Sequence, residues 1–223
     1  MMERAMISEK VKEALKLNQM AYDAVRKGFC RGMSEKDVKA LIASECGNSL
    51  FTGDFIGGVR SGAVEGDATD YVLREGDTLI LDLQFQYEGV WTDTTRTFFI
   101  GTPDEKQREV YSMVCRAKKA GEATLKNRAH VCDVYHAVRT ALTPYEGSFP
   151  HHAGHLFGIE PVMQPQLLPD KVGILKTGDL VTLEPGLYLE GKFGIRVEDD
   201  YLITQNGPCN LFDYTVNIND FVL

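Results

Sequence analysis

Four carboxylates and one imidazole occupy positions where such side chains have little ordinary structural use. Asp82 sits inside Asp77-Thr-Leu-Ile-Leu-Asp-Leu-Gln-Phe-Gln-Tyr, a β-rich run. Asp93 lies eleven residues later, inside Trp91-Thr-Asp-Thr-Thr-Arg-Thr-Phe-Phe-Ile100. Strand interiors are poor places for aspartate. If the two runs pair around Glu88-Gly89, the aspartates stand at about mirrored positions, and two buried carboxylates repel each other. A divalent cation between them removes both objections. Glu184, at the end of an apolar run and before Pro185-Gly186, and Glu198, inside Ile195-Arg-Val-Glu, repeat the anomaly. His155 lies in the Gly-flanked stretch His151-His-Ala-Gly-His-Leu-Phe-Gly, where a ring nitrogen can approach a metal. Each residue alone has a bland reading, as a solvent-facing strand carboxylate, a salt-bridge member or a satisfied histidine. The set reads differently. Oxygen-rich ligation with one imidazole suits Mn²⁺, Fe²⁺, Co²⁺ or Zn²⁺, and four carboxylates are enough to bridge two such ions.

The elements that must position these groups follow from local pattern. Residues 8–28 carry Val11, Ala14, Leu15, Tyr22 and Val25 at helical spacing. Ser34, followed by Glu35 and Asp37, predicts the cap of a second helix ending near Gly47. A glycine-rich stretch from Gly53 to Gly66 reads as strand and loop, and the two β-rich runs around Glu88-Gly89 read as a hairpin. Thr102, Pro103 and Glu105 predict a capped helix start, with helices over 103–126 and 131–143. Prolines at 150, 161, 165 and 169 then break any helix. Two further strands are expected, one over 179–188 and one over 194–204. The order helix, helix, strands, helix, helix, strands is an α+β layout with a hint of internal duplication.

The same residues carry a resemblance. Asp82, Asp93 in Trp-Thr-Asp-Thr-Thr-Arg-Thr, His155 in Gly-His-Leu-Phe-Gly, Glu184 in Leu-Glu-Pro-Gly-Leu-Tyr and Glu198 in Gly-Ile-Arg-Val-Glu-Asp-Asp resemble the five ligand motifs of the pita-bread metallopeptidases. That family includes methionine aminopeptidase, aminopeptidase P and prolidase. The Glu-Pro-Gly-Leu-Tyr and Gly-Ile-Arg-Val-Glu-Asp-Asp phrases are most similar to its Xaa-Pro peptidase branch, catalytic domain only. The resemblance runs from about residue 8 to 205. It implies a pita-bread (creatinase/aminopeptidase) fold, with two pseudo-repeated helix-helix-strand halves around a curved antiparallel sheet. It also implies two divalent ions (Mn²⁺, Co²⁺, Fe²⁺ or Zn²⁺) on Asp82, Asp93, His155, Glu184 and Glu198. Glu184 is then both ligand and proton shuttle, His151 a pocket histidine that positions substrate, and Arg196 a support that holds Glu198 or a nearby ligand by a charge-assisted bond. Thr95 and Thr182 are further supporting candidates.

The pattern departs from the family at two places. Glu65, seventeen residues before Asp82, and Val162, seven after His155, stand where the proline-specific relatives carry histidines. A histidine there can donate to a substrate carbonyl or its developing oxyanion, and losing one such donor costs about 3–4 kcal/mol in the transition state. Glu65 can instead attract an ammonium or guanidinium. The expected function is therefore a dinuclear-metal-dependent hydrolase, an aminopeptidase or dipeptidase of Xaa-Pro type with an altered pocket. A non-peptide hydrolase or lyase on the same fold is the alternative, and a non-catalytic binding module, which would have lost ligands, is the third reading.

Bulk properties agree. The 223 residues, 43% hydrophobic and 25% charged, suit one globular domain over 1–223. No apolar run reaches the roughly 20 residues that cross a bilayer, and the charged N-terminus lacks the apolar core of a signal peptide, so a cytoplasmic protein without membrane association is expected. Five scattered cysteines with no C-x-x-C pair read as reduced thiols. A net charge of −8 argues against nucleic-acid binding. The expected partner is a small peptide or other small molecule. The apolar segment from Pro208 onward leaves room for a homodimer contact.

Overall fold

The computed structural model describes residues 2–47, 49–145 and 147–223. Two helices open the chain, α1 (Met2–Gly28) and α2 (Glu35–Glu45). Ser34 caps α2 as predicted. Its hydroxyl accepts from the Asp37 N–H at 3.2 Å, and its own N–H donates to the Asp37 carboxylate at 2.7 Å. Strands β1 (Phe51–Gly57), β2 (Thr78–Tyr87), β3 (Val90–Trp91) and β4 (Thr94–Phe99) follow. Between β1 and β2 the glycine-rich stretch forms a 3₁₀ turn, Gly58–Gly62.

The hairpin forms around Glu88 and Gly89, both at positive φ (46° and 78°), the primed-turn geometry that matches strand twist. Its register differs from the mirrored aspartates expected. Asp82 stands opposite Thr95, so Asp93 is displaced two residues along the partner chain and lies in the gap between β3 and β4. Because side chains alternate with period two, that offset keeps both aspartates on one face as diagonal neighbours. On β2 the apolar Leu81, Leu83 and Phe85 face the helices, while Asp82 and Gln84 face the other way.

The second half repeats the plan: α3 (Glu105–Glu122) and α4 (Val131–Ala141), then β5 (His155–Leu156), β6 (Met163–Gln166), β7 (Leu180–Leu183), β8 (Gly186–Leu189), β9 (Phe193–Arg196), β10 (Asp199–Thr204) and β11 (Gly207–Asn210). The cap of α3 is Asp104, not Thr102. Gln107 N–H donates to the Asp104 carboxylate at 2.7 Å and the Gln107 side chain accepts in return, which leaves Pro103 outside the helix and Glu105 out of the capping box. The helix also stops at Glu122, short of 126. The two strands expected over 179–188 and 194–204 are four, broken at Glu184-Pro185 and at Val197-Glu198.

Strands β1, β2 and β4 form one antiparallel sheet, extended by β3. Strands β11-β10-β7-β5-β6 form a second, and β8-β9 a ribbon between them. The halves meet where Thr95 and Glu198 exchange backbone hydrogen bonds (3.1 and 3.4 Å) and where Thr97 and Arg196 do so through the threonine hydroxyl (2.8 and 3.0 Å). The helices cover one face. Asn18 of α1 donates to the Leu83 carbonyl and the Thr94 hydroxyl, and Tyr22 to the Thr94 carbonyl. The segment after Pro208 packs within the chain. Phe212 and Phe221 are buried, and the Tyr214 ring stacks on Tyr22 at 5.7 Å. All five cysteines are free thiols. Among the described residues no helix is long and apolar enough to cross a membrane.

Candidate metal centre

Both breaks in the second half and the gap in the first fall at the seam, and each delivers a carboxylate there. Glu184 follows β7, Glu198 lies between β9 and β10, and Asp93 lies between β3 and β4. With Asp82 from β2 and His155 from β5, these side chains line one cleft of about 290 Å³, except Glu198, which lies buried beside it. Ligand atoms of Asp93, His155 and Glu198 lie within 4.8 Å of one another. His155 Nε2 is 3.3 Å from Asp93 Oδ2 and 3.7 Å from Glu184 Oε1. The five residues singled out in the sequence therefore converge.

Glycines allow this convergence at two equivalent places. Gly53 in β1 (φ 151°) presses on the Asp82 carbonyl, and Gly154 (φ 152°), just before His155, presses on the Thr182 carbonyl. A Cβ at either position would overlap that oxygen. Thr182 also accepts the His155 N–H at 3.2 Å, and His155 Nδ1 donates to the Leu156 carbonyl at 2.9 Å, which presents Nε2 to the carboxylates.

The carboxylates are held from behind. Thr95 donates to Glu198 Oε2 at 2.7 Å, and Gln84 to Asp93 Oδ2 at 2.7 Å. Arg196, expected to hold Glu198 or a nearby ligand, holds Asp82: its guanidinium donates to Asp82 Oδ2 at 2.7 Å and Asp54 Oδ2 at 3.3 Å, to the Tyr188 hydroxyl at 2.8 Å and to Thr95, which itself donates to Glu198. Asp54 pairs with Asp82 across β1 and β2, so the arginine bridges two carboxylates that face each other. Below the seam, Arg96 donates to the Glu198 carbonyl (2.7 Å) and to Asp199 (2.7 Å), and Lys118 pairs with the same Asp199.

The opposite oxygens are bare. Asp82 Oδ1, Asp93 Oδ1, Glu198 Oε1 and Asp200 Oδ1 are buried and have no hydrogen-bond partner. Leaving one such acceptor unsatisfied costs about 1–3 kcal/mol, more if it is charged. Burial and the charges of Asp82, Glu184 and Asp200 push the Asp93 carboxyl well above its ordinary range, and burial with Asp93, Glu184 and Asp82 does the same to Glu198. Asp200, buried and accepting the Asp93 N–H at 3.2 Å, is also raised. Burial and neighbouring Asp82 raise Asp54 to about 6. Glu184 goes the other way. Burial raises it, but the neighbouring His152, His155 and His151 rings outweigh burial and hold it at about 2. Buried carboxylate oxygens without partners, with ligand atoms of Asp93, His155 and Glu198 within 4.8 Å of one another, are a donor set that hard-to-borderline divalent ions suit.

His151 has both ring nitrogens occupied. Nδ1 donates to the His152 carbonyl at 2.7 Å and Nε2 accepts from the Tyr188 hydroxyl at 2.9 Å, consistent with a ring whose burial lowers it to about 4. It offers the cleft its ring and no free nitrogen. Glu65 and Val162 both line the cleft, on its exposed side. His130 and His136 lie outside the cleft lining.

Asp54, Gln84, His152, Tyr188 and Asp200 were not singled out from sequence. Asp54 carried a usable signal, an aspartate inside a predicted strand, and Asp200 closes a proposed ligand motif. Tyr188 and Gln84 have none, since aromatic and amide residues in strands are common.

Comparison with known proteins matches this geometry. The family model for metallopeptidase family M24 matches residues 9–205. An uncharacterized peptidase of Staphylococcus saprophyticus is 31% identical over 213 residues, covering 92% of this chain and 61% of that protein. The Xaa-Pro dipeptidase of Pyrococcus furiosus is 30% identical over 210 residues, 91% of this chain and 60% of that protein. The crystal structure of the X-Pro aminopeptidase from Thermotoga maritima superposes with a TM-score of 0.91 at 30% identity, over 96% of this chain and 62% of that one. The chain thus spans about three fifths of the length of these relatives. With its pita-bread fold and the family model matching residues 9–205, the chain belongs to metallopeptidase family M24.

Proposed function

We propose that this chain is a dinuclear-metal-dependent hydrolase acting on small peptides of Xaa-Pro type, with a substrate pocket altered at Glu65 and Val162. The carrying observation is the set of buried, unpartnered oxygens on Asp82, Asp93 and Glu198, together with His155 Nε2 at 3.3 Å from the other Asp93 oxygen. Asp82, Asp93, His155, Glu184 and Glu198 would hold two ions, drawn from Mn²⁺, Co²⁺, Fe²⁺ or Zn²⁺. When bound, such ions supply Lewis acidity toward water and toward a substrate carbonyl.

The chain's own groups do the rest. Glu184, held ionised by the surrounding imidazoles, is a proton acceptor at the cleft wall. The relay Arg196–Tyr188–His151 fixes the Asp82 carboxylate and the His151 ring without offering either to bulk water. Val162 gives no donor to a substrate carbonyl, and an ionised Glu65 repels one, so the oxyanion receives less help from protein hydrogen bonds than two histidines would provide. A slower peptidase, or one whose substrate carries a cation toward Glu65, follows from that.

The test is direct. Protein loaded with Mn²⁺ or Co²⁺ is expected to bind two ions per chain and to cleave Xaa-Pro dipeptides or longer Xaa-Pro peptides. Activity should disappear with chelator and in Glu184→Gln. Two bound ions with no cleavage of any peptide would remove the peptidase reading. Turnover of a non-peptide amide or ester by the same sample would then favour the second reading, which the replaced pocket residues support. Protein that binds no ion would leave only the binding module.

A further inference from the structure

His152 stands apart from the five converging residues and sits against them. Its Nδ1 lies 2.8 Å from Glu184 Oε1, yet among the described residues neither atom has a hydrogen-bond partner, and both are shielded from solvent. Two such atoms held that close need a proton or a metal ion shared between them, and ligand atoms of His151, His152 and Glu184 lie within 4.8 Å of one another, a spacing that one ion can fill. The separation is informative. Ligand atoms about 2.1 Å from one ion lie about 3.0 Å apart at a right angle and about 3.4 Å apart at a tetrahedral angle. The distances around Glu184 Oε1 and His155 Nε2 are 2.8, 3.3 and 3.7 Å, which span those values.

The neighbouring ring does not compete. His151 also comes near Glu184, at 4.0 Å, but its Nδ1 is committed to the His152 carbonyl and its Nε2 to Tyr188. The His152 and His155 rings meet nearly perpendicularly, at 84° with centroids 5.5 Å apart, and His152 Nδ1 and His155 Nε2 both approach Glu184 Oε1, at 2.8 and 3.7 Å.

We infer that His152 is a sixth protein ligand, giving the ion on the His155–Glu184 side a second imidazole. This inference rests on the metal-centre reading above. A donor set with two nitrogens moves that ion's preference from Mn²⁺ toward Zn²⁺ or Co²⁺ and leaves the ion on the Asp82 side in an all-oxygen environment.

Calorimetric titration of the metal-free full chain with Co²⁺ and with Zn²⁺, together with the visible spectrum of the cobalt protein, tests it. Wild type is expected to bind in two steps. In His152→Gln the step filled by the His155–Glu184 ion should weaken about 10- to 100-fold, while the other stays within about twofold. The cobalt absorption bands should shift, and in His152→Gly free imidazole should restore both affinity and spectrum. A merely structural histidine would move neither the bands nor the imidazole response. Unchanged affinity and spectrum in His152→Gln would overturn the inference, as would a His152→Gly protein that free imidazole does not rescue. Wild type that binds no ion would instead overturn the metal-centre reading itself.

Discussion

At the scale of single residues, bare oxygens and raised carboxyls make protons and metal ions rivals. Asp93, Glu198 and Asp200 bind protons more tightly in the folded chain than their ordinary values of 3.8, 4.5 and 3.8. Metal-free folded protein therefore holds more protons than unfolded chain above about pH 4, and its stability falls as pH rises through the raised folded values. Glu184, lowered to about 2, works in the opposite sense at the acid end, and His151, lowered to about 4 by burial, does so between about pH 4 and 6.5, against the three raised carboxyls and Asp54, raised to about 6. Denaturant titrations of metal-free protein at pH 5 and pH 8 should show the lower midpoint at pH 8, and saturating Mn²⁺ should remove the difference. A metal-free midpoint that rises steadily with pH would contradict this account. Arg196 gives a second residue-scale prediction. Lysine cannot reach Asp82, Asp54, Tyr188 and Thr95 together. Metal affinity of Arg196→Lys should drop about 10- to 100-fold, as for other groups that orient ligands, with the far-ultraviolet circular dichroism unchanged.

At the scale of elements, strand breaks deliver the chemistry. At the break before β10, Glu198 turns to Thr95 and Asp200 to the Asp93 N–H, beside the cleft, while Asp199 faces Lys118 and Arg96. Close glycine contacts set how near the strands come. Gly154→Ala places a methyl group on the Thr182 carbonyl and requires a residue with no Cβ penalty at φ 152°. The strand carrying His155 must shift. The expected result is a loss of metal affinity in calorimetry larger than any loss of melting temperature measured without metal. Gly191→Ala, which meets nothing within 4 Å, serves as the comparison, although its own φ of 69° strains the turn.

At the scale of the whole molecule, two pseudo-repeated halves are held together by a buried charge cluster under the seam. Arg96, with no solvent exposure, joins the backbone at Glu198 and Thr215 to Asp199 and lies 4.9 Å from the Phe212 ring. Removing one partner of such a buried pair costs about 3–5 kcal/mol. Arg96→Ala should therefore lower the melting temperature by roughly 6–20 °C, at about 2–4 °C per kcal/mol for a chain of this size. A loss under 2 °C would mean the cluster contributes little. Metal acts on the same scale: an ion at about 100 times its Kd adds about 2.7 kcal/mol. Chelator should depress melting in proportion.

The sequence by itself determined the chemistry and most of the elements. Carboxylates inside apolar runs, the Ser34 cap, the Glu88-Gly89 turn and the helix pairs are local patterns, legible because periodicity and propensity act over a few residues. The same locality explains the errors. Thr102 and Asp104 both offer a capping oxygen, and the choice of Asp104 depends on Gln107 being free to reciprocate and to reach the Gly76 carbonyl. Only the tertiary structure decided that Asp93 sits diagonal to Asp82, which of the nearby carboxylates Arg196 serves, and that Gln84 and His152 line the cleft. Those outcomes are set by strand register and by contacts between residues more than a hundred positions apart, for which a linear pattern holds no signal.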